Sequence, residues 1–270
     1  LPEHAPHARD AGDVLRHKLD AGVIRGWRSG AHTKPGQEHD CGEDRQATAA
    51  SIAEEISRLQ LTNPTQVAYL CEGQALVDAF SAGPAAGNKS QDDQVDYQLL
   101  NERSNNALNP ATQAFLDAHK AELTTLYLLG GDQALPQALQ DMLQARYPNL
   151  KITRFAGIDR FDTNAKANSQ FFAAPTTVYV ANGEATSIPG AVQTESITAS
   201  AGMSGLFGAL LAGDAAAQAN APLVLTRVDL LPAATLTYLE AHAATLTTAT
   251  LVGSVGDISE AVRQQIENVI

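Results

Sequence analysis

CGEDRQATAA (residues 41–50) and AGIDRFDTNA (residues 156–165) are one phrase written twice, 115 residues apart. Each runs small residue, Gly, any residue, Asp, Arg, and reaches a Thr three positions later, Thr48 or Thr163. The spacing is that of a helix start. Asp44 is an N-cap candidate, and Ile52, Ile56 and Leu59 behind it share one helical face.

The surroundings of the phrase repeat as well. Behind the first copy the chain reads helix, a break at TNPT, a buried strand QVAYLCEG (66–73) and, within ALVDAFSAGPAAG (75–87), a small-residue helix closed by Gly83-Pro84. Then come a strand VDYQLLN (95–101), a helix from Asn109, a strand TTLYLLGG (124–131) and a helix ending at Pro148. The second copy keeps the order: strand KITRF (151–155), motif and helix, strand TTVYVANGE (176–184), helix (205–222), strand PLVLT (222–226), helix (231–246), strand ATLVGS (249–254) and helix (257–270). FLDAHKAELTTLYLLGG and YLEAHAATLTTATLVGS match at an offset of 123, so insertions separate the landmarks, the largest at 185–204. Strands alternating with helices predict an α/β fold with parallel sheets covered on both faces. The repeat divides the chain into two tandem units, 41–150 and 151–270, behind an arm, 1–40, with no recognised motif. This is duplication of a domain, not a short-period solenoid.

The net charge of −12 disfavours nucleic acid and anionic membrane as partners. Apolar residues make up 44% of the chain and aromatics 5%, which points to closely packed helices on sheets. No apolar run is long enough for a membrane helix. The opening LPEHAPHARD does not resemble a translational start, which suggests a signal peptide removed upstream. The arm balances six Lys/Arg with six Asp/Glu and holds five of the seven histidines, without zinc spacing. No metal site is expected.

Cys41 closes the strand before the first motif and Cys71 closes the next. If those strands are neighbours, their ends lie about 5 Å apart, within disulfide reach. The expectation is a Cys41–Cys71 disulfide; the alternative is two buried thiols.

Catalytic motifs are missing. GPAAGNKS (83–90) lacks the Gly that a P-loop needs before its Lys, and GMSGLFG fails the nucleophile-elbow rule. No dinucleotide fingerprint opens a helix. His119 and His242 recur at equivalent helix positions, which favours packing over catalysis. The Asp44–Arg45 and Asp159–Arg160 pairs admit two readings, a cap with an ion pair or an anion contact. The chain reads as non-catalytic, with no cofactor.

The ordered motifs resemble the cell-wall-binding repeat of type 2. The first copy carries the likeness at GEDRQATA, EGQALVDAFSAGP and LLGGDQALP. The second carries it at AGIDRFDT, ALLAGD, APLVLTRVDLLPAAT and LVGSVGDIS. The family occurs in surface proteins of Gram-positive bacteria. The resemblance implies Rossmann-like three-layer units and non-covalent attachment to an anionic cell-wall polymer, of teichoic or polysaccharide type, by a secreted, wall-located protein. The family strand implicated in attachment maps to Leu223, Val224 and Leu225, and in the first copy to Leu99 and Leu100, preceded by Gln98. Arg45, Arg160 and Arg227 are the candidate cationic contacts. Family members carry three units around an axis and this chain shows two, so the arm packs against a repeat or the chain forms homo-oligomers. An accessory module of a cell-envelope enzyme complex is the second reading, and an intracellular Rossmann-type enzyme the third.

Overall fold

The structure is a computed structural model that describes residues 42–60, 64–74, 76–87, 94–184 and 204–270. Helices and strands alternate as the sequence predicts: α1 (Arg45–Leu59), β1 (Val67–Glu72), α2 (Val77–Ala86), β2 (Tyr97–Asn101), α3 (Pro110–His119), β3 (Thr125–Leu129), α4 (Gln137–Arg146) and β4 (Lys151–Phe155). They continue as α5 (Arg160–Phe171), β5 (Thr177–Asn182), α6 (Ser204–Gln218), β6 (Leu223–Thr226), α7 (Ala233–His242), β7 (Thr248–Val252) and α8 (Glu260–Glu267). The strands form two parallel sheets, ordered β2-β1-β3-β4 and β6-β5-β7. Two sheets match the two tandem units.

The repeated phrase is a lock on the start of a helix. Asp44 Oδ1 accepts from Ala47 N at 2.6 Å, and Asp159 Oδ1 accepts from Phe161 N and Asp162 N at 2.9 Å. These bonds satisfy amide groups that a helix start leaves open. Gly42 and Gly157 lie so close to the next turn that an added Cβ would meet Thr48 N or Thr163 N at 2.4 Å. Gly157→Ala should therefore cost about 2–3 kcal/mol through overpacking against backbone. Gly131→Ala, where nothing lies within 4 Å, should stay within about 0.5 kcal/mol. Urea unfolding of the two variants checks the contrast, and equal midpoints would contradict it.

Each sheet is buried on both faces. On one face of the first sheet, Leu70, Leu99, Leu126 and Leu128 pack with α1, α3 and α4 through Ala53, Phe115, Leu116, Leu139 and Leu143. On the other, Tyr69, Cys71 and Leu129 meet α2 and α5. Val77 and Phe80 of α2 also join Phe161 of α5, Ala209, Ala212 and Ala216 of α6, and the second sheet. Small residues in these helices permit the close packing that the composition suggested. His119 and His242 pack against rings, His119 on Phe115 at 4.4 Å and His242 on Tyr238 at 4.6 Å.

Two findings depart from the sequence reading. KITRF opens the second copy, yet as β4 it pairs with β3 of the first sheet, Leu129 opposite Phe155. The Arg154 guanidinium then donates to Gly130 O at 2.9 Å and Leu135 O at 2.7 Å. The second finding corrects the Cys41–Cys71 disulfide. Cys71 is a free, fully buried thiol, and Cys41 lies outside the described residues. The expectation needed the segment before Gly42 to neighbour β1. Both sides of β1 are already occupied, with Cys71 between Leu100 of β2 and Leu129 of β3.

Candidate functional site

The C-terminal ends of parallel strands are where open α/β sheets expose ligand sites. Here those ends collect guanidinium groups. Arg45, at the start of α1, is exposed and reaches the end of β1, where it donates to Gly73 O at 2.7 Å and Gln74 O at 3.3 Å. Arg160, at the start of α5, is exposed and donates to Gly183 O beyond β5, also at 2.7 Å. Arg227 follows β6. It pairs with Glu184, and its guanidinium carbon lies 4.9 Å from the centre of the Phe161 ring. The two motif arginines thus do the same work in each unit. In each, Nη1 fastens a glycine carbonyl, and the side chain is exposed and carries further N–H donors.

The strand residues implied by the resemblance lie elsewhere. Leu223, Val224, Leu225 and Leu99 are fully buried, and Leu100 nearly so. They are core residues of β6 and β2. Arg45 therefore lies at a strand end of the first sheet and Arg160 and Arg227 at strand ends of the second, whereas the leucines are enclosed within the strands. Thr112 and Thr235 tie the two strands to the following helices by donating to Leu100 O at 2.6 Å and Leu225 O at 2.7 Å. Thr235 closes the APLVLTRVDLLPAAT stretch that carries the resemblance, and this anchor is its role.

Sequence reasoning missed Arg103 and Asp78. Burial pushes the Asp78 carboxyl up to about 6, the Glu72 charge adds to the shift, and Arg160 and Arg103 oppose it. Both guanidiniums therefore lie within electrostatic reach of one carboxylate at the start of α2. The available signal was a lone Asp in an otherwise apolar small-residue helix. A carboxyl whose folded pKa exceeds the ordinary value near 4 binds its proton more readily in the folded state. That contribution to stability is complete below pH 4 and is lost as pH rises through about 6. Asp78→Asn should stabilise the protein by about 1–2 kcal/mol at pH 7.5 and leave it nearly unchanged at pH 4. Thermal unfolding at the two pH values tests this, and destabilisation at pH 7.5 would contradict it.

Among the described residues no group of three or more His, Cys, Asp or Glu side chains is placed to hold a metal. None of the described helices is long and apolar enough to cross a membrane. Asn88, Lys89 and Ser90 of the near P-loop lie outside the described residues.

Comparison with known proteins agrees with this architecture. No curated relative matches the chain. Among solved structures, Cwp8 from Clostridium difficile is 26% identical, with a TM-score of 0.62 over 84% of this chain and 33% of its own. Cwp6 from Clostridium difficile shares the fold at 20% identity, with a TM-score of 0.63 over 84% of this chain and 31% of its own. The chain thus spans about a third of the length of either structure. The model of the cell wall binding domain 2 (CWB2) family matches residues 41–140 and 154–263, most of the chain and both copies of the repeated phrase. With the Gly-x-Asp-Arg lock, the parallel sheets and the family match all coinciding, the chain belongs to the cell wall binding domain 2 family and has a cell-wall-binding role.

Proposed function

We propose that this chain is a non-catalytic module that holds a secreted Gram-positive surface protein to an anionic cell-wall polymer, without a covalent bond or a cofactor. The observation that carries the reading is the placement of Arg45, Arg160 and Arg227 at strand ends, in a protein whose net charge is −12. An acidic protein repels a polyanion at long range, so attachment needs local cations with oriented donors. A guanidinium presents a fork that matches phosphate or carboxylate oxygens, and Lys does not. Leu223, Val224, Leu225, Leu99 and Leu100 serve the site from behind, by fixing the strands whose ends carry the cations. Arg227 in particular follows directly on β6. The two units, 41–150 and 151–270, each bring one motif arginine.

Such a site is electrostatic and half-exposed, so salt weakens it. In co-sedimentation with purified Gram-positive walls, raising the salt from 50 mM to 500 mM should release most of the bound chain. Retention unchanged across that range would overturn the reading.

A further inference from the structure

A groove of about 800 Å³ opens where the N-terminal ends of β1, β2 and β3 face the C-terminal end of α5. Asp96, Thr65 and Tyr69 line it. The Thr65 hydroxyl donates to Asp96 Oδ1, and the Tyr69 phenol hydrogen-bonds the same carboxyl. Tyr127 and Phe171 form an aromatic wall, half-buried, with ring centres 5.1 Å apart at 68°. The carboxamides of Gln170 and Asn220 are exposed at the rim. The adjoining segments 61–63 and 88–93 lie outside the described residues.

The chemistry of these groups is selective. Among the described residues no Lys or Arg lines the groove, and Asp96 makes no ion pair. Burial, which disfavours the charged form, pushes its carboxyl up to about 6. An anion placed here would face a carboxylate. A purely apolar ligand would displace water from that carboxylate and leave its charge unpaired, with only the hydroxyls of Thr65 and Tyr69 beside it. An ammonium group supplies the missing charge and donors to an acceptor with lone pairs to spare. Beside the aromatic wall there is room for the C–H face of a pyranose ring, and the rim carboxamides suit hydroxyl groups.

The fold itself does not require these residues. β1 pairs Tyr69 with Gln98, and β5 pairs Tyr179 with Leu223. That register makes Tyr179 the counterpart of Tyr69 and puts Ala221 of the second unit where the first has Asp96. The offset of 123 likewise puts Thr250 where the first has Tyr127. The second sheet forms without either group, so the pair is a property of the first unit alone.

We propose that this groove is a subsite for an amino sugar of the wall glycan, with the ammonium on Asp96 and the ring against Tyr127 and Phe171. Only the source of the sugar rests on the wall-binding reading. The ligand class differs from the anionic polymer assigned to the arginines.

The test uses the isolated chain at pH 7.5 and a trisaccharide of β-1,4-linked glucosamine, followed by NMR titration, with the N-acetylated trisaccharide as comparison. The free-amine sugar should bind saturably, and the N-acetylated sugar at least tenfold more weakly. Asp96→Asn, which keeps the shape of the side chain, should weaken glucosamine binding at least tenfold, and Tyr127→Ala several-fold, with circular dichroism confirming the fold. No saturable binding, equal binding of the two sugars, or wild-type affinity in folded Asp96→Asn would each overturn the assignment. The sugar comparison needs no variant, so it stands even if one fails to fold. Intact walls play no part in the readout, so this assignment and the arginine reading can fail separately.

Discussion

Asn164→Leu is expected to lower stability by about 3–5 kcal/mol, since each buried polar group left unpaired costs about 1–3 kcal/mol. β6 is an edge strand, because the second sheet runs β6-β5-β7. Its outer edge is nevertheless buried, with Leu223 and Leu225 fully enclosed. Buried backbone groups need partners, and no strand supplies them here. Two side chains of α5 do. Asn164 Oδ1 accepts from Leu225 N at 3.1 Å, and its Nδ2 donates to Leu223 O and Ser81 Oγ, each at 2.9 Å. Asn168 Nδ2 donates to the same Leu223 O at 2.8 Å. The carboxamide of Asn164 thus pairs with β6 much as a neighbouring strand would, and its bond to Ser81 ties α2 to the same point. Leucine fills the space but offers neither donor nor acceptor, which orphans Leu225 N and leaves Leu223 O with one partner. Urea unfolding should show the loss as a lower midpoint. Ser169→Ala, on the exposed side of the same helix, should stay within about 0.5 kcal/mol. A loss below 1 kcal/mol for Asn164→Leu would contradict this account of the edge.

The second large effect concerns binding. Replacing Arg160 and Arg227 together by Gln should weaken attachment to wall polymer about tenfold or more, at about 1.4 kcal/mol per decade. The estimate assumes about 0.5–1.5 kcal/mol for each lost contact, since the groups are only partly buried. Arg160 also fastens Gly183 O, so part of any loss reflects the lock. Lysine at the same two positions separates the roles. It restores the charge but not the planar fork, so it should recover salt sensitivity and only part of the affinity. Affinity for purified polymer, measured by calorimetry alongside thermal unfolding of each variant, decides it. Wild-type affinity in the folded double Gln variant would remove these arginines from the site.

Much of the scaffold is legible in the sequence because it rests on local rules. Asp44 and Asp159 announce helix starts, and the alternation of apolar strands with small-residue helices announces parallel sheets covered on both faces. The purpose of the repeated arginines is not local. The sequence admits an ion pair or an anion contact for Arg45 and Arg160, and only the position of Gly73 and Gly183 shows that they fasten backbone carbonyls. Asn164 and Asn168 carry no signal in the sequence that sets them apart from other polar residues of the helix. Nothing near them reveals that they close the edge of a strand 55 to 61 residues away. β4 is another such case, since KITRF carries the signal of a strand but not of the sheet it joins. The disulfide expectation failed for the same reason. It was an inference about which strands are neighbours, and β1 has Leu100 and Leu129 beside Cys71 on its two sides. Burial of Leu223, Val224 and Leu225 follows from the fold, whereas a family motif by itself does not say which side of a strand end meets the ligand.

The reading of this chain as an attachment module for an anionic wall polymer is tested most directly by retention on Gram-positive walls before and after that polymer is extracted. The same preparation of chain is used at low salt with equal masses of wall. Intact walls should retain the chain and release it in salt, and extracted walls should retain little at any salt concentration. Equal retention on intact and extracted walls would contradict the account.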